Sequence, residues 1–132
     1  VYLVEAADDI CYEIMDIEDA HKLRLLSYDE TEQLLLGFFD SDVQERIRRR
    51  MVDEQLTDVN ERVVYMRASV IGRLESECVR AFIENEESIL GGTFTGSLVE
   101  AIDGPVRDAY RRCTEVSHIL QQTGARCRAV GL

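Results

Sequence analysis

Leu3, Ala7, Ile10, Ile14 and Ile17 recur at alternating spacings of four and three. That is the period of a helix with one buried face. Val4, Cys11 and Met15 widen the apolar arc to about 160°, more than one neighbouring helix covers. The pattern predicts a first helix over residues 3–22. Ser27 and Asp29 then cap a short helix, with Glu32 completing a capping box from Asp29. This helix carries Leu34, Leu35 and Leu36 and ends near Gly37. Ser41 with Gln44 has the same capping-box spacing and opens a third helix through Val43, Ile47 and Met51, reaching toward Leu56. A long helix follows over residues 58–90, with Val63, Met66, Val70, Ile71, Leu74, Cys78, Phe82 and Ile83 in register. Gly91 and Gly92 stop it. Asp103 and Pro105 suit the start of a last helix over residues 106–120.

No window alternates with the period of a strand. The fold class expected is all-α, an irregular bundle of about five helices. Residues 1–120 form the helical unit. Residues 121–132 are glycine-broken and read as a frayed or divergent tail. With 132 residues and 45% hydrophobic content, the chain suffices for one domain with a core.

The formal net charge of −11, from 26 acidic and 15 basic residues, argues against a general binder of nucleic acid or anionic membrane. The Arg46, Arg48, Arg49 and Arg50 cluster reads as a solvated basic face among many acids. No run approaches the roughly 20 apolar residues of a membrane span, and no signal peptide is visible. The four cysteines make no CxxC pair and read as cytoplasmic thiols. His21 and His118 lack zinc-like spacing. His21 falls on the apolar side of the first helix, as a packed or capping residue would.

Asp8, Tyr12 and Asp16 are four residues apart, within about 80° of one another on the first helix and along a line of about 12 Å. A carboxylate is a hard ligand for a divalent ion. A tyrosine can stack on a sugar or base. A second carboxylate can accept hydrogen bonds from ligand hydroxyls. The same stripe also suits a solvated face, and spacing alone names no substrate.

The stretch EAADDICYEIMDIEDAHKLRLLS resembles the distal metal-ligand segment of bacterial deoxyguanosine triphosphate triphosphohydrolases, in the HD-domain phosphohydrolase superfamily. The match runs through Glu5, Ala6, Ala7, Asp8, Asp9, Ile10, Tyr12, Asp16, Glu18, Asp19 and Ala20. More loosely, YMRASVIGRLESECVRAFIENEESILGGTF resembles the long helix that follows in that family. The likeness covers roughly residues 1–115 and implies the C-terminal portion of an HD-domain enzyme. It implies that Asp8 is the last metal ligand of an H…HD…D set, with magnesium or manganese as the divalent metal. It implies that Tyr12 and Asp16 line the deoxyribose side of a nucleotide pocket, with Arg67, and more weakly Tyr65, toward the phosphates. The whole enzyme would cleave dGTP, or another deoxynucleoside triphosphate, into deoxynucleoside and triphosphate. It would be a cytoplasmic homo-oligomer, with nucleic acid at most an effector.

Two departures stand beside the resemblance. The H…HD part of the metal set is absent, so no catalytic residue is assigned here and the chain alone is expected to be inactive. The end, SHILQQTGARCRAVGL, departs from the apolar helix with which the family continues. The competing reading is a non-catalytic helical module that packs against partner subunits and uses the acidic helix as an interaction surface.

Overall fold

Every regular element among the described residues is a helix. The computed structural model describes residues 2–94, 96, 98–99, 101–102 and 104–129, with side chains over 3–122 of that set. In chain order the helices are α1 (Tyr2–Lys22), α2 (Tyr28–Leu36), α3 (Ser41–Asp53), α4 (Val59–Glu84), α5 (Glu86–Leu90) and α6 (Gly104–Ala129). No strand occurs among the described residues, so the all-α expectation holds. No described helix is long and apolar enough to cross a membrane.

Helix α1 packs against α4, α6 and α2, and α4 also holds α2, α3 and α5. The core follows from the periodicity. Ile10, Ile14 and Ile17 of α1 meet Leu35 and Leu36 of α2 and the row Val63, Met66, Val70, Leu74, Cys78 and Ala81 of α4. Val106, Ala109 and Cys113 of α6 close the other side, and Leu98 and Ile102 seal the connection before it. Near its start α1 buries Ala6, while Leu3, Val4, Ala7, Cys11 and Met15 are exposed. The wide apolar arc is therefore only half covered.

Several boundaries differ from the sequence reading, each for a local reason. The capping box of α2 is Ser27 with Glu30, not Asp29 with Glu32: Glu30 N–H donates to Ser27 Oγ, and Ser27 N–H to Glu30 Oε1. Asp40, not Ser41, caps α3 by accepting from Val43 N–H at 2.9 Å. Gln44 instead donates to the carbonyls of Leu36 and Phe39, tying the α2–α3 turn to α3. The long helix breaks at Asn85, whose side-chain amide donates to the Ala81 carbonyl. The short α5 follows, so six helices among the described residues stand where the sequence predicts about five. Burial tracks Ala81 rather than Phe82 and Ile83, and Ile83 is exposed.

The last helix runs past Leu120, through Gly124, to Ala129. A glycine inside a helix costs only about 1 kcal/mol relative to alanine and need not end it. Asp103, the expected cap, lies outside the described residues. Helices α1 and α3 are each followed by a residue in the left-handed region, Arg24 at φ 63° and Gln55 at φ 58°. After Arg24, the N–H groups of Leu25 and Leu26 turn back to the Ala20 carbonyl. This satisfies a carbonyl that the helix end would otherwise leave open.

Candidate functional site

The line Asp8, Tyr12, Asp16 starts on open surface and ends in a seam. Asp8 and Tyr12 are exposed, Tyr12 at 74%, and neither bonds to another described residue. They therefore carry no burial cost. Asp16, two turns on, is half-buried between α1 and α6. Its Oδ2 accepts hydrogen bonds from Ser117 Oγ at 2.8 Å and Gln121 Nε2 at 3.1 Å. A hollow of about 240 Å³ lies beside it, with Asp19, Leu23, Leu25 and Leu120 in its lining.

Arg67 does not join that line. It lies on the α4 side of α1, where Nη1 donates to Glu18 Oε2 at 2.7 Å. Glu18 is only 5% exposed, and Lys22 Nζ approaches its other oxygen at 3.2 Å. Arg67 Nε is buried without a partner. In this arrangement Arg67 neutralises a buried carboxylate, and its guanidinium is half committed before any phosphate arrives. Tyr65 is partly buried against the core.

Glu13 shares the α6 seam with Asp16. Its Oε2 is buried and unpartnered. Burial first, then the nearby charges of Asp16 and Asp9, push its carboxyl above the usual carboxylate range. Tyr110 of α6 donates weakly to the Asp9 carbonyl at 3.4 Å. Burial raises its hydroxyl pKa well above the ordinary tyrosine value.

Among the described residues, no three His, Cys, Asp or Glu side chains come together as a metal site. Asp8 is an accessible carboxylate that could give one ligand, and the described residues do not supply the rest of a shell. His21 is buried, as expected of a packed residue, and sets its ring edge-on to Tyr28 at 6.3 Å. Cys78 and Cys113 are buried free thiols, whereas Cys11 is exposed. In the basic cluster Arg48, Arg49 and Arg50 pair with Glu32, Glu45 and Glu54, in keeping with a solvated charged face.

A "deoxyguanosinetriphosphate triphosphohydrolase-like protein" of Pseudomonas aeruginosa is 34% identical over 117 residues, which is 89% of this chain. One of the same description from Synechocystis is 33% identical over 75% of the chain. A "deoxyguanosinetriphosphate triphosphohydrolase" of Yersinia pestis is 30% identical, also over 75%. The chain is related to the deoxyguanosinetriphosphate triphosphohydrolases. It spans about a quarter of the length of these curated relatives, 26% of the first and 22% of the last. No family model matches it. The relationship agrees with the family resemblance read from the sequence.

Two members of the arrangement escaped the sequence reading. Ser117 continues the buried row Val106, Ala109, Cys113 of α6. A serine at the next place in an apolar row signals a buried hydroxyl with a partner elsewhere. Glu18 likewise stands one turn after Ile14, on the apolar side of α1, which marks a buried carboxylate that needs a cation.

Proposed function

We propose that this chain is the distal, nucleotide-lining part of a metal-dependent deoxynucleoside triphosphate triphosphohydrolase that releases deoxynucleoside and triphosphate. The observation that carries the reading is the placement of three different groups along one face of α1. An unencumbered carboxylate (Asp8), an exposed aromatic hydroxyl (Tyr12) and a carboxylate held at a seam (Asp16) follow one another at one-turn spacing. The names of the relatives support the substrate class.

In this reading Asp8 supplies one oxygen to a magnesium or manganese ion whose other ligands lie outside this chain. Such an ion lowers the pKa of a bound water and offsets phosphate charge. Tyr12 packs on the sugar or base and offers its hydroxyl. Asp16 accepts a hydrogen bond from the deoxyribose. Arg67 lies near the phosphate side only if it exchanges part of its bond to Glu18. The whole protein acts in the cytoplasm as a homo-oligomer.

The test is Asp8→Ala in the longer protein. The expected result is loss of bound manganese by metal analysis and a fall in dGTP turnover of about a hundredfold or more. Unchanged metal content with full turnover would refute the assignment. The chain by itself is expected to show no dGTP turnover with added magnesium or manganese, because one aspartate gives at most two of the roughly six ligands a hard ion prefers.

A further inference from the structure

Asp16 takes both of its hydrogen bonds on the same oxygen. Ser117 and Gln121 stand one turn apart on α6, and both donate to Oδ2. Oδ1 has no bond to a described residue. Ser117 is 2% exposed, while Gln121 is open to solvent. A carboxylate offers about four acceptor sites, so with both described donors on Oδ2, Oδ1 keeps its acceptor capacity among the described residues. Both donors are neutral. They fix the carboxylate's orientation without cancelling its charge, unlike the arginine and lysine that hold Glu18. Asp16 also lines the hollow between α1 and α6, so its carboxylate borders open space.

We propose that Ser117 and Gln121 are positioning residues. They clamp Oδ2 of Asp16 so that Oδ1 meets the sugar hydroxyl of the nucleotide. The inference rests on the reading of Asp16 given above and extends the site to the part of α6 beyond the family likeness. A deoxynucleoside triphosphate carries one free sugar hydroxyl, at the 3′ position. A clamp that serves that hydroxyl matters for substrates that possess it and not for a 3′-deoxygenated analogue.

The experiment compares dGTP with 2′,3′-dideoxyguanosine triphosphate in the longer protein, for the unmodified enzyme and for Asp16→Asn, Ser117→Ala, Ser117→Thr and Gln121→Leu. Ser117→Ala is expected to raise KM for dGTP about tenfold, while the dideoxy analogue stays within about twofold. Ser117→Thr, which keeps the hydroxyl, restores dGTP binding. Gln121→Leu, on the exposed side and safe for folding, gives the same discrimination at about threefold. Equal losses on both substrates in both α6 variants would mean that these residues only hold two helices together, and the proposal falls. Discrimination by Asp16→Asn but by neither Ser117→Ala nor Gln121→Leu overturns the clamp alone and leaves Asp16 as the sugar contact. No discrimination by Asp16→Asn, or no dGTP turnover by the unmodified enzyme, overturns the reading of the site and the clamp with it.

Discussion

Two carboxylates tie α1 to its neighbours, and they are held in opposite ways. Glu18 faces α4, is almost fully buried and is neutralised by Arg67 and Lys22. Asp16 faces α6, is half-buried and is held by a hydroxyl and an amide. The first arrangement consumes the carboxylate: its charge is matched and both oxygens are occupied. The second orients a carboxylate and leaves it able to act. A residue two positions away in sequence can therefore be structural or functional according to the donors its partner helix supplies.

The largest expected effect comes from breaking the α4 side. Arg67→Met strands the Glu18 charge in the core and is expected to cost about 3 kcal/mol, the low end for an unpaired buried ion because Lys22 remains in reach. Denaturant unfolding measures it. Adding Glu18→Leu should recover most of the loss, since a buried ion pair and a well-packed apolar pair are often near equal. If the double variant is less stable than Arg67→Met, the ion pair is not the reason Arg67 stands where it does.

Ser117→Ala on the α6 side removes one donor from a carboxylate that keeps another and some solvent. It is expected to cost about 1 kcal/mol, well below the Arg67 effect. A cost equal to or above that of Arg67→Met would erase the contrast between the two sides.

A smaller, pH-dependent effect belongs to Glu13. Its carboxyl titrates above the usual carboxylate range in the folded chain because of burial and the charges of Asp16 and Asp9. A raised folded-state pKa favours folding while the group is protonated. Its stabilising contribution is therefore complete below the ordinary glutamate value of 4.5. It is lost as pH rises through the higher folded-state value. Glu13→Gln should flatten the pH dependence of stability across that window and raise stability at neutral pH. A variant with an unchanged pH profile would show that Glu13 is not strained at the seam.

The faintest effect concerns the open face. In a Cys127→Ser background, a thiol reagent should modify Cys11 rapidly, with little change in unfolding midpoint. Cys78 and Cys113, whose thiols burial pushes up to about 11 and about 12, should react only as fast as the chain opens. Slow modification of Cys11 would mean that this face is covered in solution.

The helices were legible because their cause is local. Apolar spacing within α1 and α4 and the glycine and proline positions are read from a few adjacent residues. The finer stops were less so. Asp40 and Ser41 both suit a cap, and only the turn from α2 decides between them. Asn85 ends α4 with its side-chain amide on the Ala81 carbonyl, a bond the apolar spacing does not signal. The candidate site was half legible. Asp8, Tyr12 and Asp16 come from one motif, but their environments do not. The Glu18–Arg67 pair joins residues 49 apart, and Asp16 and Ser117 are 101 apart. Spacing along one helix carries no information about which helix will face it.

That separation of 101 residues also has a kinetic meaning. Ordering so long a loop is entropically slower than closing the short turns between successive helices, because closure cost grows with the logarithm of loop length. The seam between the first and last helices is thus expected to assemble after the helices between them have begun to pack. Because both donors stand on the last helix, any displacement of it from the first would take Ser117 and Gln121 from Asp16 together.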